Sequence, residues 1–304
     1  MSEEKSSAFL MKTAATASTG AAFVLIAAKL FAFMMTNSVA LLSSLMDSFL
    51  DAGASLLNMW AVRTSLIPAD GDHRFGHGKV EPLAALGQAA FISGSALLLI
   101  FQSMRALFHP HEIDNVDIGL GVMSFSVVVT FVLIAFQRYV IKKTDSVAIS
   151  ADYAHYAGDI LMNVSVMASL FISSYFDVKY ADPVFALLIA VYLTASAVRV
   201  VKKCLGQLID AELPAEEKQK IVDIVLKAPE VSGMHDLRTR SSGTRWFIQL
   251  NLELNPDFTL AKAHAIADHV ERVLIQAFPN AEIIIHEDPA GLDERHPQWC
   301  YEQI

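Results

Sequence analysis

The chain has 304 residues, 54% of them apolar and only 18% charged, with a mean hydropathy of +0.42. Globular domains carry roughly 25% charged residues, so this composition excludes an ordinary water-soluble protein. It points to a membrane-embedded chain with a soluble attachment. The formal charge of −9 argues against a nucleic-acid partner, since little here would neutralise phosphates. From Cys204 onward 17 Asp and Glu stand against 9 Lys and Arg, so the negative charge belongs mainly to the C-terminal third. Cys204 and Cys300 make neither a CxxC pair nor a disulfide framework, which suits a reducing compartment. The first long apolar run follows a polar start and has no cleavage-like end, so no secretory leader is expected.

A bilayer span needs about 20 largely apolar residues. Six stretches qualify: 14–35, 39–62, 83–107, 118–140, 150–173 and 183–201. With the N-terminus inside, eleven Lys and Arg fall on the cytoplasmic side and only Arg105 and Lys179 on the other. The positive-inside rule then fixes the orientation, with both termini cytoplasmic. Lys29 lies within the first span and receives no role from the sequence.

Beyond the last span the pattern changes. Pro214 and the acids Glu216 and Glu217 open a short helix, as the helix dipole favours. Residues 234–240 and 245–254 read as two strands joined by Ser241-Ser242-Gly243, the second with strict alternation from Trp246 to Leu254. A helix is expected over 260–278 and a short strand through Ile283-Ile284-Ile285. The fold expected is a membrane domain of six transmembrane helices (1–208), a cytoplasmic α+β domain of order αββαβ (209–290) and a polar tail (291–304).

The chemistry sits inside the spans. Asp47 and Asp51 are four residues apart in the second span and share one helix face. His155 and Asp159 repeat the spacing in the fifth. An acid at the centre of a membrane helix costs about 2.5–3.5 kcal/mol on insertion scales, so two such pairs are hard to explain as packing. Together they offer three carboxylates and an imidazole, a donor set suited to a tetrahedral divalent cation, zinc above all. One difficulty attends this. At about 1.5 Å per residue from the outer ends, Asp51 lies roughly 18 Å deep and Asp159 roughly 21 Å. Asp47 is shallower and His155 deeper, so a four-residue site asks for tilt or shifted ends.

The loop after the second span, Asp70-Gly71-Asp72-His73-Arg74-Phe75-Gly76-His77-Gly78-Lys79, spaces Asp70, His73 and His77 so that they can wrap a cation, with Gly71, Gly76 and Gly78 supplying backbone freedom. A solvated polar loop with incidental histidines is the competing reading. The soluble domain adds His235, His264, His286 and Asp288, each an ordinary surface residue when taken alone and jointly a zinc-binding set. His269 and His296 have no evident partner. There is no HExxH, GxxxxGK[ST] or GxSxG segment, so neither ATP nor hydrolysis drives the protein. A gradient remains, and acids with histidine in a membrane path also exchange protons.

These segments resemble the cation diffusion facilitator family. The resemblance rests on Asp47-x3-Asp51 and His155-x3-Asp159, on the loop His73-Arg74-Phe75-Gly76-His77-Gly78-Lys79, and on Gly233-Met234-His235-Asp236-Leu237-Arg238-Thr239-Arg240 and Ile285-His286-Glu287-Asp288-Pro289. It covers roughly residues 12–289 and looks closest to the bacterial zinc-transporting, ferrous-iron-efflux-type branch of proton antiporters. What the resemblance implies is a homodimer in the bacterial inner membrane exchanging Zn²⁺ for H⁺. Its transport site would be Asp47, Asp51, His155 and Asp159, and its loop site Asp70, His73 and His77. A cytoplasmic zinc site or pair at the dimer interface would use His235, His264, His286 and Asp288. Asn251 stands where relatives often carry His, which leaves this set one imidazole short of the family's full binuclear centre. Lys79 and Asp210 match a pair that locks the membrane halves together. Other readings are a passive divalent-metal channel, a membrane-anchored zinc sensor and an intramembrane metalloenzyme. Four protein ligands leave a catalytic metal no open position, which disfavours the last.

Overall fold

The computed structural model describes residues 2–36, 39–108, 116–176 and 181–291. The chain divides into two compact units, one of residues 6–205 and one from residue 206 on. The first holds six long helices: α1 (Ser2–Thr36), α2 (Val39–Ser65), α3 (Val80–Phe108), α4 (Val116–Thr144), α5 (Val147–Phe176) and α6 (Ala181–Leu208). All but α1 begin within three residues of the expected spans. Their further extension is physical, because hydropathy marks the apolar centre whereas helical hydrogen bonding continues into the polar margins. Within α1, α3, α4 and α6 the segments Ser6–Met35, Val80–Arg105, Gly121–Thr144 and Pro183–Leu208 are long and apolar enough to cross a membrane. By contrast, α2 carries Asp47 and Asp51, and α5 carries Asp152, His155 and Asp159.

Helix α5 packs against α2, α3 and α4. Small residues permit this. Ala85, Ala89 and Ala96 of α3 and Ala151 and Ala154 of α5 are buried in their shared clusters. Helices in lipid gain little from hydrophobic burial, so close backbone approach and interhelical hydrogen bonds hold them. Large apolar side chains such as Phe31, Leu97, Phe101 and Val132 face outward.

The second unit carries α7 (Ala215–Leu226), β1 (Val231–Ser242), β2 (Arg245–Leu254), α8 (Leu260–Ala277) and β3 (Ala281–Pro289). The sheet order is β1-β2-β3, with β1 and β2 antiparallel and β2 and β3 parallel. The turn Gly243-Thr244 joins β1 to β2, with Gly243 at φ 61, the left-handed region glycine tolerates. Ile248, Leu250, Leu252 and Leu254 alternate onto the face that packs on Ile221 and Val225 of α7 and on Ile266, Val270 and Leu274 of α8. Each such side chain, fully buried, contributes about 1.5–3 kcal/mol. Thr259 caps α8 by accepting from the Lys262 amide. The expected short third strand is longer. Its parallel pairing runs from Ala281 to Pro289, so His286 and Asp288 lie within the strand.

Candidate metal centre

The α2–α5 packing brings three of the four expected intramembrane residues together. His155 Nε2 lies 3.0 Å from Asp51 Oδ1 and 3.7 Å from Asp159 Oδ2. One ligand atom from each of Asp51, His155 and Asp159 lies within 4.8 Å of the others. Tetrahedral Zn²⁺ with N and O ligands at about 2.0–2.1 Å sets neighbouring ligand atoms about 3.3 Å apart. The two contacts of His155 bracket that spacing. Asp47, one turn before Asp51, is not part of this set.

The neighbourhood explains why these side chains are held. Ser55, one turn from Asp51, meets Tyr156 Oη at 2.8 Å and Ser18 Oγ at 3.2 Å, tying α1, α2 and α5 just below the carboxylates. Gly158 precedes Asp159 where α6 comes close: a Cβ added there would stand 2.5 Å from Leu193 Cδ2. Lys29 points at α2, donating to Ser48 Oγ at 2.7 Å and to the Ser44 carbonyl at 3.2 Å, on either side of Asp47. Sequence reasoning missed Asp152 and Glu81. Asp152 is fully buried and accepts from Gln88 and Gln137. Glu81, in the first turn of α3, accepts from Ser146 Oγ at 2.5 Å and from the Ala148 amide at 3.2 Å, so it caps the start of α5. The available signal for Asp152 was its spacing, three and seven residues before His155 and Asp159 on one helical face.

The loop between α2 and α3 gathers Asp70, His73 and His77, again within 4.8 Å. Asp70 Oδ1 accepts from the His73 amide at 2.7 Å and the Asp72 amide at 3.0 Å, which folds the loop onto its own carboxylate. These bonds, the His73 amide foremost, hold the Asp70 carboxyl below its usual range. His73 Nδ1 stands 3.4 Å from Oδ1, and His77 Nε2 stands 3.5 Å from Oδ2. Of the three glycines expected to supply freedom, only Gly76 takes a positive φ, 76. The loop then winds straight into α3, with the Val80 amide on the His77 carbonyl at 3.0 Å.

In the second unit His235, Asn251 and His286 stand level on β1, β2 and β3. They lie on the face opposite the helices, with Glu253 and Asp288 two residues further along β2 and β3. Asp288 divides its oxygens: Oδ1 lies 3.0 Å from His286 Nε2 and Oδ2 lies 3.4 Å from His235 Nε2. The other nitrogen of His235 meets Glu253 Oε1 at 3.0 Å. A bulge follows His235, with Asp236 at φ 51, which turns the strand after this point. His264 is not brought to this group. It lies on α8 beside Glu287 and Asp268, each 3.7 Å away, and Glu287 belongs to the helix-facing side of β3. His269 is exposed on α8, and His296 lies outside the described residues. Lys79 closes the loop before α3. Asp210 follows α6 at φ 57 and accepts from Arg240 Nη1 at 3.3 Å.

Residues 15–209 match the cation efflux transmembrane domain, and residues 213–290 match the cytoplasmic domain of cation efflux proteins. The chain belongs to the cation efflux family. Relatives named cation-efflux pump FieF, from Yersinia pestis (strain Pestoides F) and Yersinia pseudotuberculosis serotype O:3 (strain YPIII), are 46% identical over 291 residues. The alignments cover 95% of this chain and 97% of theirs. A solved chain of CzrB in its zinc form is 35% identical, covering 28% of this chain and 97% of its own, with a TM-score of 0.26. As a cation efflux protein the chain is a membrane transporter of the branch typified by these pumps, and not an enzyme. Its two units correspond to a transmembrane and a cytoplasmic domain.

Proposed function

We propose that this transporter is a proton-coupled antiporter exporting divalent transition-metal cations, chiefly Zn²⁺ with Cd²⁺ and Fe²⁺ as further substrates, from the cytoplasm across the bacterial inner membrane. The observation that carries the reading is the approach of Asp51, His155 and Asp159 within 4.8 Å between α2 and α5. Two carboxylates and an imidazole bind a divalent cation in the deprotonated state and release it when protonated. Asp47 completes four-fold coordination if α2 moves toward α5 by part of a turn. The cation efflux pump names of the relatives support export. A passive channel fits less well, because tight coordination by protein ligands slows release.

The chain acts as a homodimer with both termini in the cytoplasm. The loop site of Asp70, His73 and His77 and the cytoplasmic site of His235, His286 and Asp288 hold structural or regulatory Zn²⁺, and His264 joins the latter only after α8 or its own side chain shifts. Asp288 facing two histidines with separate oxygens supports a bridging role there. Lys79 and Asp210 interlock the membrane halves of the dimer.

The test is zinc flux in sealed vesicles with an imposed pH gradient. Concentrative zinc movement driven by that gradient supports the antiporter. Zinc movement that only follows its own gradient, whatever the pH difference, contradicts it.

A further inference from the structure

We propose that Asp152 is a proton-binding site separate from the metal ligands, taking up a proton as the cation leaves and giving it up as the cation binds. The inference rests on the antiport reading and adds a group that this reading does not use. Asp152 is 0% exposed. Its Oδ1 accepts from Gln88 Nε2 of α3 at 3.1 Å, and its Oδ2 accepts from Gln137 Nε2 of α4 at 2.6 Å. Ser18 of α1 also approaches it. Among the described residues no Lys or Arg forms an ion pair with it.

The titratable groups around it come from each neighbouring helix. On α5 itself they are His155, Tyr156 and Asp159, three, four and seven residues on. From α3 comes Glu81, occupied with Ser146 and the start of α5. From α2 comes Asp51, bound to His155. From α6 come Cys204, buried in the cluster with Ala151, and Lys203, whose ammonium is held by Asp145. Helix α4 presents the neutral Gln137, and α1 presents the neutral Ser18 together with Lys29, whose ammonium is held by Ser48 and the Ser44 carbonyl and faces Asp47, Asp51 and Asp159 rather than Asp152. Among the described residues no permanent counter-charge pairs with Asp152 directly, and a buried carboxylate without one is strongly disfavoured. A divalent cation at Asp51, His155 and Asp159 supplies it from about one helical turn away. When the cation departs, the anion loses that support and a proton takes its place.

The surroundings suit both forms. Gln137 Oε1 is buried without a hydrogen-bond partner. Rotation of that amide presents Oε1 to Asp152 as an acceptor for the carboxylic O–H, while Gln88 continues to donate to the other oxygen. The carboxylate gains one proton and becomes neutral, the Gln137 hydrogen bond reverses its direction, and no other covalent bond changes.

The experiment measures coupling ratio, which a merely structural role does not move. Wild type and Asp152→Asn are reconstituted in vesicles, and the zinc gradient that just cancels a fixed pH gradient is found for each. The proposal expects the proton-to-zinc ratio to drop by a single proton in Asp152→Asn. An unchanged ratio overturns the Asp152 assignment alone, whereas a wild type with no coupling overturns the antiport reading itself. Gln88→Leu keeps the test open if Asp152→Asn fails to assemble. It removes a donor to the ionised form, which favours protonation, so the pH midpoint of transport should rise with the ratio unchanged. A midpoint that stays in place overturns the proposal.

Discussion

His155 Nε2 stands 3.0 Å from Asp51 Oδ1, joining residues 104 positions apart in the chain. The contact crosses the α2–α5 packing, with the Ser55–Tyr156 hydrogen bond directly beneath it at 2.8 Å. Whatever tilts α2 relative to α5 must therefore stretch this contact or carry both helices together. The contact therefore reports the position of α2 relative to α5.

Asp51→Ala should abolish zinc transport while leaving a folded protein in the membrane. Loss of a supporting residue around a metal typically weakens binding 10–100-fold, and a direct ligand should cost at least that. The check is zinc flux together with size-exclusion behaviour of the purified variant. Normal flux would remove Asp51 from the site.

His155→Asp leaves an all-oxygen site. Carboxylates favour harder ions and imidazole favours zinc, so preference should move toward Mn²⁺ and away from Zn²⁺. Competition transport with both ions reads this directly. Untouched selectivity would mean that His155 does not touch the ion.

The hydrophobic pattern of the chain makes much of this arrangement legible. Six apolar stretches and the alternation of β2 determine where helices and strands form. Four-residue spacing marks Asp51, His155 and Asp159, because ionisable groups inside an apolar helix are costly and persist where they bind or conduct an ion. Height is what periodicity does not contain. Whether Asp47 or Asp51 stands beside His155 depends on how α2 slides along α5, a height that the Ser55–Tyr156 hydrogen bond helps to set in three dimensions. His264 shows the same limit: its helix is readable, but not that it lies on the far side of the sheet from Asp288. Asp152 escaped because its partners, Gln88 and Gln137, come from two other helices.

In the loop, the Asp70 carboxyl lies below its usual range because the His73 amide, and then the Asp72 amide, donate to it. A depressed carboxylate stabilises the fold fully above its ordinary value of about 3.9, and that contribution fades as pH falls through the lower folded value. Exchange protection of the His73 amide should therefore persist from neutral pH to about 4 and fall only in stronger acid. Asp70→Ala should remove the protection at neutral pH as well. A loss already complete at mildly acidic pH would show that another group orders the loop.

Glu253 bonds the rear nitrogen of His235 at 3.0 Å while the front nitrogen faces Asp288. Carboxylates in this position orient a metal-binding imidazole, and removing them costs about 10–100-fold in affinity. Glu253→Ala should show that loss in calorimetric zinc titration of the full protein carrying Asp51→Ala. Gly233→Ala should act in the same direction more weakly, since its Cβ would come 2.8 Å from Glu253 Oε2. Equal affinity in both variants and their parent would leave His235 without a role in binding.

The central claim is that Asp51, His155 and Asp159 hold the cation during transport. It is tested most directly by zinc-edge X-ray absorption on protein lacking the other candidate ligands through Asp70→Ala, His73→Ala, His77→Ala, His235→Ala, His286→Ala and Asp288→Ala. The account predicts bound zinc with nitrogen and oxygen neighbours at about 2.0 Å, an imidazole scattering signature, and loss of that signature when His155→Ala is added. A protein that binds no zinc, or a spectrum indifferent to His155→Ala, would contradict it.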